Sequence, residues 1–146
     1  NSVAPGDQGG RLDTIDFVTI SNKGNAVDFG NMSLKRGETA SCSSTTRGIT
    51  AGGAPVSSKI IDFITMASEG NAIVFGELTG RTTSLAAGVS NETRGVIAGG
   101  YTSSSVNSID FVSFSTTGNA QDFGDLTVDR WSLGGASDSH GGLGGF

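Results

Sequence analysis

Apolar residues arrive along this chain in short runs, each closed off by Gly, Ser, Thr or Asn. In segment 13–21, Ile15, Phe17 and Thr19 fall on one side of an extended chain, and Asp16, Val18 and Ile20 fall on the other. Apolar groups on both sides predict a strand covered on both faces. Segments 59–67 and 107–115 repeat the pattern. A turn follows at 22–25, 68–71 and 116–119, where a Gly-Asn pair offers positive φ and side-chain hydrogen bonds to the turn. No stretch carries apolar residues at i, i+3, i+4 and i+7 over three turns, so no helix is expected and the predicted class is all-β.

Three further segments complete each copy. Segments 26–33, 72–79 and 120–127 centre on Phe29-Gly30, Phe75-Gly76 and Phe123-Gly124, a core ring beside a residue that permits a bend or a close backbone approach. Segments 38–44, 82–90 and 132–139 hold almost only Ala, Ser, Thr, Gly and Cys, with Leu85, Val89 and Leu133 as exceptions. Such small side chains suit a strand crowded against its equivalents around a central axis. Segments 48–53 and 95–100 run Arg-Gly, apolar, then Gly-Gly, and 139–146 resembles them. Four short strands therefore make one repeat, and Asp16, Asp62 and Asp110 set its period at steps of 46 and 48 residues. The expected organisation is a single domain, 1–146, divided at about 11–53, 54–100 and 101–146. One repeat of this length cannot bury its own apolar face, so its neighbours are part of its fold.

Arg36, Arg81 and Arg130 lead into the small-residue strands, and Gly52-Gly53 and Gly99-Gly100 close the strands that follow. This pattern resembles a kelch repeat, although Phe stands where kelch blades usually carry a Tyr and Trp pair. The string Gly-Asn-Ala-x-x-Phe-Gly-x-Leu/Met is similar to repeats in structural proteins of tailed phages, particularly cyanophages. The resemblance implies a kelch-like β-propeller with three four-stranded blades per chain, one of them shared between the chain ends. Propellers typically have four to eight blades. The expected partner is therefore a second copy, joined head to tail in a homodimeric six-bladed ring.

Composition narrows the function. A net charge of −5 without a basic cluster argues against nucleic acid. No apolar run reaches the roughly 18 residues of a membrane span. The first residues show neither the basic start nor the apolar run of a signal peptide. Cys42 and His140 are the single residues of their types, so no disulfide, Cys metal site or acid–base set stands out, and neither cofactor nor metal is expected. His140 reads as a turn residue. The repeated aspartates read as acceptors for strand-end amides or for an arginine such as Arg47 or Arg94 rather than as calcium ligands, since EF-hand spacing is missing.

Chemistry is expected, if anywhere, where the copies differ. Tyr101 follows a Gly-Gly pair and Trp131 adjoins Arg130, and kelch topology would place them on one face with Arg81 and Arg36. Tyr, Trp and Arg are the types enriched at binding hot spots. The alternative for Trp131 is a contact between blades. The leading expectation is a non-enzymatic structural or adhesive propeller of a virion or other extracellular assembly, with other virion proteins as neighbours. The second is a carbohydrate-binding propeller whose partner is a cell-surface glycan. A propeller-fold enzyme is the third.

Overall fold

The computed structural model describes residues 10–54, 58–80 and 85–137. Among them there is no helix. Ten strands run β1 (Thr14–Phe17), β2 (Val27–Asn31), β3 (Ala40–Ser43), β4 (Arg47–Ala51), β5 (Ile60–Thr65), β6 (Ile73–Glu77), β7 (Ala87–Ser90), β8 (Arg94–Ala98), β9 (Val106–Ser113) and β10 (Gln121–Arg130). They form three antiparallel sheets: β1-β2, β3-β4-β5-β6 and β7-β8-β9-β10. Each four-stranded sheet is a meander in which every strand pairs with its neighbours in sequence, the arrangement that short turns allow.

All but one of the expected strand segments whose residues are described contain a strand. The exception is 132–139, which has no strand through Ser137, its last described residue. Ser132 nevertheless keeps its place in the repeat. Leu85 donates its N–H to the Glu38 carbonyl at 2.8 Å, and Ser132 donates to the Leu85 carbonyl at 3.0 Å. These three equivalent residues also share positive φ, between 55° and 61°. The small-residue segments thus follow one another at a constant step.

The core runs between the sheets. Ile49, Ala51, Ile61, Phe63 and Phe75 from the second sheet cluster with Ile97, Val112 and Phe114. In each repeat the two Phe rings meet edge to face, at centroid separations of 5.8–6.0 Å for Phe17–Phe29, Phe63–Phe75 and Phe111–Phe123. The small residues are required by proximity. A Cβ at Gly88 would overlap the Ser41 carbonyl of the preceding sheet, and one at Gly95 would lie 2.6 Å from the Cys42 sulfur.

A β-bulge interrupts each of the pairings β1-β2, β5-β6 and β9-β10, between Ile15 and Asp16, Ile61 and Asp62, and Asp122 and Gly124. It takes Phe29, Phe75 and Phe123 out of register. The first two of these carbonyls accept hydrogen bonds from the following sheet: Gly70 N–H to Phe29 at 2.8 Å and Gly118 N–H to Phe75 at 2.9 Å. Asp28 and Asp122 support the bulge by accepting from Gly30 and Gly124, a bond that Val74 cannot offer in the middle copy.

Candidate functional site

Two kinds of place concentrate polar and aromatic groups: the junctions between sheets and the surface around Tyr101. The junctions are built from the repeated motifs. Between the first two sheets, Ala72 N–H donates to Asn31 O at 2.8 Å and the Asn31 N–H donates to Asn71 Oδ1 at 3.0 Å. Between the second and third, Ala120 N–H donates to Glu77 O at 2.8 Å and Glu77 N–H donates to Asn119 Oδ1 at 3.1 Å. The Gly-Asn-Ala triplet is therefore a clamp gripping the preceding sheet, whereas the sequence showed only its turn. Its target lies some 40 residues away, beyond the reach of local patterning.

The repeated aspartates complete the same junctions. Asp62 and Asp110 are nearly inaccessible, at 1% and 6% exposure. Ser33 donates its N–H and hydroxyl to Asp62, and Thr79 does the same to Asp110. Arg36 adds a buried ion pair to Asp62 at 2.9 Å and donates to the Ile60 and Thr50 carbonyls. Burial pushes the Arg36 guanidinium below its ordinary pKa, and Asp62 pulls it back. The carboxylates accept strand-end amides as expected, but the pairing arginine is Arg36 and not Arg47 or Arg94. Those two lie at the far end of their strands, stacked over Phe63 and Phe111 at 4.8 and 5.2 Å from the ring centroids.

Of the five candidate ligand residues, three come together. Tyr101 and Trp131 meet edge to face with centroids 5.9 Å apart, and remain 41% and 52% exposed. Arg130 adjoins them: its carbonyl accepts from Gly100 N–H at 2.9 Å, while its Nε donates to Val128 O at 3.3 Å. Arg36 is apart from this group and buried, so its charge serves the sheet. Arg81 and His140 lie outside the described residues.

A cleft of about 340 Å³ opens between β1-β2 and one face of β3-β4-β5, lined among others by Ile15, Ser41, Thr50, Ile64 and Met66. The same face of the third sheet is covered by the second. Phe114, equivalent to Met66, is 4% exposed against 44%, and Ser90 Oγ donates to Ser43 O at 2.8 Å. Cys42 lies at that second junction, where burial pushes its thiol pKa up to about 11, so it is held as the unreactive thiol.

Among the described residues no three His, Cys, Asp or Glu side chains gather as a metal site, and no helix is long and apolar enough to cross a membrane. The sequence matches no protein-family model and no curated protein.

Proposed function

We propose that the chain is a non-enzymatic structural or adhesive β-propeller of kelch-like blades, serving a phage virion or another extracellular assembly. In this reading a second copy completes a six-bladed ring. The observation that carries it is the repetition of one junction. The first-to-second and second-to-third sheet contacts use the same clamp, the same aspartate cradle and the same Phe carbonyl. Identical steps between units generate a closed ring or an open arc, and an arc leaves apolar surface at both ends. Exposed Val18 and Ile20 at one end, and Phe123 and Val128 at the other, match that description. Negative-stain class averages of the purified chain should display a ring of six lobes. Averages with another lobe number, or compact single chains, would defeat the reading.

A second reading, a carbohydrate-binding propeller, is favoured by the half-exposed Tyr101–Trp131 pair beside Arg130. Stacking on sugar faces is a use suited to such rings. Binding on a broad glycan array that disappears in Trp131→Ala would support it, and silence of the wild-type chain across the array would leave scaffolding alone.

A further inference from the structure

The two ends of the chain carry the two unused halves of the junction. At one end are Asp16 and the triplet Gly24-Asn25-Ala26, equivalent to Asp62 and Gly70-Asn71-Ala72. Asp16 is exposed and its carboxylate has no hydrogen-bond partner among the described residues, whereas its equivalents Asp62 and Asp110 are buried. At the other end are Phe123-Gly124-Asp125, Thr127 and Arg130, equivalent to Phe29-Gly30-Asn31, Ser33 and Arg36. A Cβ at Gly30 or Gly76 would overlap the carbonyl of Gly70 or Gly118, but one at Gly124 meets nothing within 4 Å. Phe29 and Phe75 are 9% and 4% exposed, whereas Phe123 is 56% exposed. Each half is formed, and each lacks what the other offers.

We infer that the third sheet of one copy docks on the first sheet of a second copy in the register of the internal junctions. The inference rests on the ring reading and specifies its contact. Gly24 N–H donates to the Phe123 carbonyl of the facing copy, Ala26 N–H donates to the Asp125 carbonyl, and Asp125 N–H donates to Asn25 Oδ1. Thr127 and Arg130 close on Asp16 as Ser33 and Arg36 close on Asp62. The occupant is a second copy because the two surfaces are complementary residue by residue, and because each internal junction already joins successive repeats of one chain. The segment 132–137 fits the same scheme. It continues the step from Glu38 to Leu85 to Ser132, and would lie along the open cleft face of the second copy's middle sheet. That face is lined by Ser41 and Ser43, the equivalents of Gly88 and Ser90, through which β7 meets the Ser41 and Ser43 backbone inside one chain. In this arrangement Arg130 is buried in an ion pair and withdrawn from the Tyr101–Trp131 surface.

Cysteine pairs test the register, since a disulfide forms only where the two Cα atoms come within about 7 Å. In a Cys42→Ala background, Asn25→Cys with Asp125→Cys should oxidise to a species of twice the chain mass. Peptide mapping should place the link between residues 25 and 125 of different copies. Asp16→Cys with Thr127→Cys should behave likewise. Asn31→Cys with Asn71→Cys, whose wild-type side chains approach to 3.4 Å, should bridge within one chain and serves as the control. A non-covalent dimer in which the control bridges and both test pairs stay reduced would overturn the register while leaving a self-closed ring standing. A link between 25 and 125 of the same chain would overturn the need for a second copy. A stable monomer without either link would overturn the contact and the ring reading together.

Discussion

Phe75 and Phe123 occupy the same place in successive repeats and have opposite surroundings. Phe75 is sealed by the third sheet, whose Gly118 binds its carbonyl, whereas Phe123 lies half open. The local sequence around the two is nearly the same, so the difference is not one of strand propensity or ring packing. Both rings hold their edge-to-face partner, Phe63 or Phe111. What separates them is the presence of a following sheet. In a repeat protein, stability is a sum of unit terms and junction terms, and a terminal unit lacks one junction. The contrast between these two residues therefore measures the junction itself.

The largest expected break comes from truncating the covered ring. Phe75→Ala should lose about 3–5 kcal/mol of folding stability in urea titration, the cost of a large cavity in a packed core. Phe123→Ala should lose far less at a dilution where chains are separate, and should instead raise the concentration needed for dimer formation. Equal loss of folding stability in both would erase the distinction.

The aspartates offer the next contrast. Arg36→Met leaves Asp62 buried without its cation, an imbalance that costs about 3–5 kcal/mol when one partner of a buried pair is removed. The double variant Arg36→Met, Asp62→Leu should recover part of that loss. Asp16→Asn should leave folding of the separated chain unchanged and weaken association. A fall in the thermal midpoint of the separated chain for Asp16→Asn, comparable to that for Arg36→Met, would contradict this assignment.

A smaller contrast lies in the clamp. Asn71→Ala removes the acceptor for Asn31 N–H and should cost about 1 kcal/mol of folding stability, the usual net value of one hydrogen bond. Asn25→Ala should cost nothing until chains associate. Amide exchange at Asn31 and Asp125 reads both directly: Asn31 should lose protection only in Asn71→Ala, and Asp125 only in Asn25→Ala under dimer-forming conditions.

Cys42 gives the smallest effect and reports on the junction between the second and third sheets. Its thiol pKa is raised in the folded chain from 9.0 to about 11, so the unfolded chain releases the proton first as pH rises. The stability contribution is thus complete below pH 9 and declines between pH 9 and about 11. Iodoacetamide should label native Cys42 slowly until that window, and labelling at the rate of a free thiol near pH 8.5 would contradict the burial.

Much of this was legible in the residue pattern because it depended on local chemistry. Apolar residues on both sides of an extended chain marked β5 and β9, Phe-Gly marked the bulged strand, and the small-residue segments anticipated that Gly88 meets a neighbouring sheet at backbone distance. The aspartates were recognisable as hydrogen-bond acceptors. Their partner was not, because Arg36 is 26 residues from Asp62 and only the sheet order decides that it, rather than Arg47, reaches the carboxylate. The Gly-Asn-Ala triplet misled for a related reason. Glycine and asparagine account for a turn completely, so nothing local pointed to the second role of the asparagine oxygen. The alanine was the available signal, a residue that no turn requires and that recurs as Ala26, Ala72 and Ala120. Tyr101 and Trp131, singled out as departures from the repeat, do meet at one surface.

The central claim is that the open faces at the two ends of the chain are halves of one contact. The mass of the native wild-type chain, followed over a dilution series, tests it most directly. The account predicts a species of two chains of 14.7 kDa each that dissociates on dilution, and a shift of that dissociation to higher concentration in Phe123→Ala. A single chain of 14.7 kDa at every concentration would contradict it.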